Sequence, residues 1–214
     1  MTILGMLNSG DRHHLDTVMS LVASVNPSYD YLEIGSYMGA SLCGHLNNNK
    51  CNSVTSVDLR PQGKIKDERR GVNDIFEYNI TTHNMLDALR SSNVPVDKLT
   101  CIDGTVDDLP KDKKFDLVFI DAEHTNEAVF YDAIHCLPAM KESCIMLFHD
   151  DWIVYQGLEK FKDYLNSNNK VYASAKIKGS DIFGIAMGSM IDPFSKYSEQ
   201  YAEDWENFKK SSCP

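Results

Sequence analysis

Three acidic segments carry the residues that could do chemistry together: Tyr31–Ser41 (YLEIGSYMGAS), Lys114–His124 (KFDLVFIDAEH) and Cys144–Trp152 (CIMLFHDDW). Each opens as an apolar run and stops on polar residues, the pattern of a buried strand that ends at solvent. In an open parallel sheet the strand carboxyl ends border one crevice, where ligands bind. Asp121, Asp150 and Asp151 would then converge from two strands. Like charges tolerate this only if a cation joins them or one takes up a proton. Magnesium, with water completing its octahedron, would relieve the conflict. The competing reading makes Asp150 or Asp151 a helix cap and Asp121 a solvated strand end. His124, just past Asp121, can accept a proton near neutral pH and so deprotonate a hydroxyl; a structural histidine is the alternative. His149, before the aspartate pair, reads as a neighbour of the site or a pocket wall.

The first segment adds a turn. Gly35 and Gly39 flank it, and glycine there permits tight backbone geometry and close ligand approach. A dinucleotide fingerprint would need glycine where Tyr37 stands. A bulky residue disfavours pyrophosphate but tolerates a ligand without phosphate, such as S-adenosylmethionine. Asp58 ends the next apolar run about 20 residues after Gly39, where it can accept hydrogen bonds from ribose hydroxyls. A structural turn and a solvated acid are the bland alternative.

The elements that must position these groups alternate. Leu15–Val25 has helical spacing, Asn26-Pro27-Ser28 ends it, and a first strand follows near Tyr31–Ile34. Gly39–Leu46 reads as a helix, Ser53–Val57 as the second strand and Leu99–Ile102 as the third. Arg60–Gly71 reads as a polar, basic loop and Asp74–Arg90 as a helix. Phe115–Ile120 (strand), Asn126–Leu137 (helix), Ser143–Phe148 (strand) and Gly157–Leu165 (helix) continue the series, which implies a parallel sheet with covered faces. Val171–Ile177 and Asp181–Met187 are separated only by Lys178-Gly179-Ser180, too short a link for parallel neighbours, so that pair is antiparallel. The chain reads as a single domain over 1–214, with an N-terminal helical segment (1–28), a core (29–189) and an aromatic-rich tail (190–214) that docks or forms a subunit contact in a homodimer.

Composition narrows the partners. At 214 residues with a net charge of −10, the chain lacks the basic surface that nucleic acid requires, and a small molecule fits better. No basic-plus-apolar leader and no apolar run of about 20 residues is present, so no membrane partner and a cytoplasmic location are expected. Six cysteines without a CxxC pairing suggest reduced thiols and no zinc site.

EIGSYMGAS together with FIDAEH and FHDDW resembles class I S-adenosylmethionine-dependent methyltransferases, in particular the divalent-metal-dependent O-methyltransferases of the catechol and caffeoyl-coenzyme A type. FIDAEHTNEAVFYDA and LFHDDW are also similar to the group that includes macrocin-type sugar O-methyltransferases. The resemblance spans Tyr31 to Met187. It implies an α/β, Rossmann-like doubly wound sheet of seven strands, mostly parallel with a reversed final strand. It also implies that Glu33, Gly35, Tyr37 and Ser41 surround the methionine part of the cofactor, that Asp58 holds the ribose, and that Leu59, Gly104 and Thr105 approach the adenine. Asp121 borders the cofactor and, with Asp150 and Asp151, falls at the metal-ligand positions; catechol-type enzymes usually carry Asn where Asp151 stands. His124 falls where they carry a catalytic lysine, so His124 and Asp121 are the candidate catalytic residues.

The resemblance makes the expected reaction O-methylation of a small diol, sugar or phenol, with magnesium assisting. Lys64, Lys66, Arg69 and Arg70 would contact an anionic acceptor or simply form a solvated surface. Trp152 and Tyr155 would wall the site or join the core. The competing functions are a cofactor-binding scaffold subunit without turnover, and a metal-dependent hydrolase or hydroxylase that works without S-adenosylmethionine.

Overall fold

The computed structural model of the protein describes residues 5, 7–67 and 74–212. Helix α1 (Ser9–Val25) starts where Asn8 accepts from the Asp11 amide while Asp11 accepts from the Asn8 amide, a reciprocal cap that satisfies two otherwise orphaned donors. Strand β1 (Tyr29–Ile34), helix α2 (Leu42–Asn47) and strand β2 (Cys51–Asp58) follow, then β3 (Gln62–Asp67), β4 (Asp74–Asn79), α3 (Thr82–Ser91) and β5 (Leu99–Asp103). The second half comprises β6 (Phe115–Ile120), α4 (Asn126–Cys136), β7 (Met140–Phe148), α5 (Asp151–Ser167), β8 (Tyr172–Ile177) and β9 (Ile182–Met187). The tail adds α6 (Ile191–Tyr201), the two-residue β10 (Ala202–Glu203) and α7 (Trp205–Ser212).

The main sheet has the order β10-β8-β9-β7-β6-β1-β2-β5. Strands β5, β2, β1, β6 and β7 are mutually parallel, whereas β9 runs against both β7 and β8. The reversed final strand of the seven-stranded core is therefore present, and β10 adds a short eighth strand from the tail. Chain direction across the sheet switches between β1 and β6, so a crevice must open where their carboxyl ends diverge.

Both faces are covered. Tyr31, Leu117, Phe119, Ile145 and Leu147 pack with α1, α2, α3 and α6, while Leu32, Ile34, Val118, Ile120, Met146 and Phe148 pack with α4 and α5. Burial on two sides is why these strands read as continuous apolar runs rather than alternating ones. Among the described residues, Cys43, Cys51, Cys101, Cys136 and Cys144 are all unpaired thiols, and no helix is long and apolar enough to cross a membrane.

Three readings of the sequence need correction. Arg60–Gly71 is not a plain loop, because β3 pairs antiparallel with β4 in a separate two-stranded sheet. Asp74–Arg90 is not one helix, because its first third is β4 and α3 begins only after Thr81, whose side chain accepts from the Asn84 amide. Ile75, Phe76 and Tyr78 favour extended backbone, and Thr81 supplies the stop between the two states. Helix α2 is also shorter than its sequence pattern, since Gly39 has φ +79 and belongs to the preceding turn. The tail docks on its own domain: Phe194 and Tyr197 are buried in the α1-side core, and Trp205 Nε1 donates to Glu159 at 2.7 Å.

Helices α4 and α5 meet at Gly157, where a Cβ would lie 2.3 Å from the Asn126 carbonyl oxygen and 2.4 Å from Val129 Cγ1. Alanine gains about 1 kcal/mol in helix propensity over glycine, but overpacking a rigid contact costs about 1–3 kcal/mol. Gly157→Ala should therefore lower the free energy of unfolding in urea. A stabilised variant would show that the two helices can separate freely.

Candidate active site

Four backbone hydrogen bonds bring the strand ends level. Gly35 N–H donates to Val57 O at 2.8 Å, Asp121 N–H to Ile34 O at 2.9 Å, His149 N–H to Ile120 O at 3.0 Å and Gly104 N–H to Asp58 O at 2.9 Å. Above them opens a cavity of about 650 Å³, within the usual range for small-molecule sites. Gly35, Tyr37, Ser41, Asp58, Leu59, Gly104, Thr105 and Asp121, all candidates for the cofactor, line it together. Glu33 does not. It lies behind the wall, 1% exposed, and accepts from the hydroxyls of Ser41 and Tyr31. Burial pushes its carboxyl up to about 8, against the pull of those two hydroxyls.

The turn after β1 is left-handed at Gly35 (φ +89), Tyr37 (φ 45) and Gly39 (φ +79). A non-glycine residue in that region is uncommon and needs outside support. Asp58 provides it, since its Oδ2 accepts from the Tyr37 amide at 2.6 Å. Arg60 provides more: its fully buried guanidinium donates from Nη2 to Ser36 Oγ at 2.7 Å and to the Tyr37 carbonyl at 2.8 Å, and lies 3.5 Å from Asp58 Oδ2. Sequence reading missed Arg60, which nothing in the local pattern separates from the basic residues after it.

The acidic segments meet as expected, but not with the expected members. His149 Nδ1 lies 2.9 Å from Asp121 Oδ1, and its Nε2 lies 3.1 Å from Asp11 Oδ2 on α1. Burial opposes the charged imidazole, yet the Asp121, Asp11 and Asp150 carboxylates raise it from an ordinary 6.5 to about 11. In return, burial would raise Asp121, but His149 and His124 hold it at about 2. His124 sits between two acids, with Nε2 3.5 Å from Asp121 Oδ1 and Nδ1 3.3 Å from Asp150 Oδ2. Asp150 precedes α5 with left-handed backbone (φ 51, ψ 39), and its side chain makes no cap hydrogen bond; it points to His124 instead.

Asp151 stands apart. Its side chain is wholly buried, and Oδ2 lies 2.9 Å from Nζ of Lys176 on β8. The contact is an ion pair, and among the described residues neither carboxylate oxygen meets the geometry of a hydrogen bond. Burial raises this carboxyl to about 7 even with Lys176 opposing. The donor atoms that do converge form two sets, Asp121 with His124 and Asp150, and Asp11 with His149 and Asp181. The expected trio of Asp121, Asp150 and Asp151 is not brought together. Asp11 and Lys176 had no signal in the sequence, because each acts through a partner far along the chain.

The rest of the wall comes from the segment before β1, through Gly5, Leu7 and Asn8, and from the β3–β4 hairpin, through Lys66. The Lys66 carbonyl accepts from the His124 amide at 3.1 Å. Lys64 lies on β3, and Arg69 and Arg70 lie outside the described residues. Asp107, Glu123, Glu127, Asp132 and Asp181 also line the cavity, a charge balance unsuited to an anionic acceptor. Trp152 packs against the α4/α5-side core instead of the cavity, and Tyr155 is also absent from the cavity wall among the described residues.

Residues 32–150 match the family model described as a methyltransferase domain. No curated protein sequence matches the chain. Solved structures with the same fold include the O-methyltransferase NovP (12% identity, 83% of this chain and 78% of that one, TM-score 0.62). The O-methyltransferase from Bacillus cereus, in complex with SAH, has 13% identity over 85% of this chain and 82% of its own, with a TM-score of 0.59. The O-methyltransferase TomG from Streptomyces achromogenes, involved in tomaymycin synthesis and solved in complex with SAM, has 16% identity over 85% and 81%, with a TM-score of 0.57.

The His149 charge has a pH signature. Because its folded value is raised from 6.5 to about 11, its contribution to stability is complete below about pH 6.5 and is lost progressively as pH rises toward 11. Urea unfolding at about pH 6 and about pH 9 should show a larger loss for the wild type than for His149→Gln. Equal losses would mean that the imidazole is not held charged by its carboxylates.

Proposed function

The chain belongs to the methyltransferase-domain family, and on that premise we propose that it moves a methyl group from S-adenosylmethionine to a hydroxyl of a small, uncharged or cationic acceptor such as a diol, sugar or phenol. The observation that carries this reading is His124, a buried imidazole at the edge of the cofactor-sized cavity, held between Asp121 and Asp150. O-methyltransferases among the structures of like fold support the choice of oxygen.

The residues present fit the cofactor. A side chain at Gly35 would meet the Asp121 carbonyl oxygen at 2.1 Å; its absence lets the β1 and β6 ends lie level, so that Gly35, Tyr37, Ser41, Asp58 and Asp121 share one cavity wall. Asp58 would hold the ribose, Leu59, Gly104 and Thr105 the adenine, and the Gly35–Ser41 turn with Asp121 the methionine part. When bound, the cofactor supplies an electrophilic methyl on a positively charged sulfur. The protein's share is alignment and proton transfer, and alignment can be worth about 7–11 kcal/mol in favourable systems.

His124 moves the proton. With its hydrogen on Nδ1 beside Asp150 Oδ2, His124 would present the Nε2 lone pair to the acceptor hydroxyl; its contacts of 3.3 and 3.5 Å are longer than the 2.9 and 3.1 Å contacts that hold hydrogen on both nitrogens of His149. Asp121, close to Nε2, stabilises the imidazolium once the proton has transferred. The left-handed backbone at Asp150, whose side chain does not cap α5, supports this reading.

A magnesium ion held by three aspartates does not fit these residues. Magnesium favours an all-oxygen octahedron, whereas Asp151 is committed to Lys176 and the donors that converge with Asp121 include the His124 ring.

Calorimetry with S-adenosylhomocysteine should show one binding site, and turnover over a panel of hydroxylated acceptors separates an enzyme from a scaffold subunit that binds without reacting. His124→Ala should lower kcat by about 10²–10⁴-fold, the usual worth of a general base, while cofactor affinity stays within about twofold. Parallel loss of both would assign His124 a structural role.

A further inference from the structure

We propose that Lys176 is a built-in cation that takes the place of a divalent metal beside this site, so that the protein organises its aspartates without an ion. Asp151 follows Asp150 directly yet does not converge with Asp121, and a carboxylate buried in this way needs a counter-charge of its own. Here that charge comes from the chain. Lys176 is 2% exposed and Asp151 is fully buried, with Nζ 2.9 Å from Oδ2. The same ammonium donates to the Ser180 carbonyl, and the Phe208 ring of α7 covers it at 5.0 Å from the ring centroid. Strand β10 of the tail runs along β8, the strand that carries Lys176. A metal that claimed Asp151 would strand a buried ammonium without its counter-charge, a cost that breaking any buried pair incurs.

Asp121 is met in the same way. His149 faces a carboxylate oxygen at each ring nitrogen, Asp121 at Nδ1 and Asp11 at Nε2. Carboxylates only accept, so both nitrogens carry hydrogen and the ring has no lone pair left for a metal. Asp150 stays beside His124, the one group whose proton must move. In the second donor set the imidazole of His149 answers Asp11, and the Asp181 carboxylate accepts from the Asn8 side-chain amide at 3.3 Å.

The inference rests on reading this cavity as the methyl-transfer site, and S-adenosylhomocysteine titration in the same calorimeter checks that reading by itself. Full-length protein is stripped with EDTA and titrated with MgCl₂ and with MnCl₂, alongside Lys176→Met and Asp151→Asn. The wild type should bind neither ion with a dissociation constant tighter than about 100 µM, and its S-adenosylhomocysteine affinity should change by less than about twofold on chelation. Lys176→Met, which frees Asp151, should gain one divalent ion per chain at least about tenfold more tightly than the wild type. One tightly held ion in the wild type overturns the proposal, as does a folded Lys176→Met protein that gains none. If Lys176→Met does not fold, the wild type and Asp151→Asn decide: neither should bind an ion, and binding by the wild type overturns the proposal. Failure to bind S-adenosylhomocysteine counts against the functional reading alone.

Discussion

The close approach of β1 and β6 at Gly35 governs this structure. A Cβ on Gly35 would sit 2.1 Å from the Asp121 carbonyl oxygen and 2.6 Å from the Ala122 Cα, so the two strand ends can lie level only because that side chain is absent. The Asp121 amide then reaches Ile34, which fixes where the Asp121 carboxylate emerges. The sheet reverses its winding at this same seam, so the cavity, the left-handed turn and the acidic residues all follow from one steric allowance.

Placing so many acids at one edge is costly, since a buried charge must find a partner or change its protonation. The molecule answers with cations drawn from several distances along the chain. Arg60 stands two residues beyond the acid it serves, His149 answers Asp121 across adjacent strands, and Lys176 reaches Asp151 from the terminal hairpin. Such pairs contribute little net stability compared with an apolar core. They fix orientation instead, and orientation is what a transfer between two bound molecules needs.

What could be read from the sequence follows a physical divide. Strands buried on both faces announce themselves as continuous apolar runs, so β1, β2, β6 and β7 and their polar ends were legible, as was the β8–β9 reversal from its short link. The β3–β4 hairpin was not, because its strands lie outside the main sheet and carry basic residues that resemble a loop. Gly35, Tyr37, Asp58 and Asp121 gather as their positions suggested, because strand ends are fixed by topology. The partners of Asp151 and His149 were hidden, because no periodicity links Asp151 with Lys176 or His149 with Asp11. Asp150 and Asp151, adjacent in sequence, point to different partners because the backbone turns left-handed at Asp150.

Asp11 serves two masters. It closes the reciprocal cap that starts α1 and it also holds His149, while its other oxygen accepts from the Asp181 amide at 2.8 Å. The first helix therefore cannot fray at its beginning without loosening the imidazole behind Asp121. Capping of α1 and the seating of the His149 ring are thereby coupled through one carboxylate.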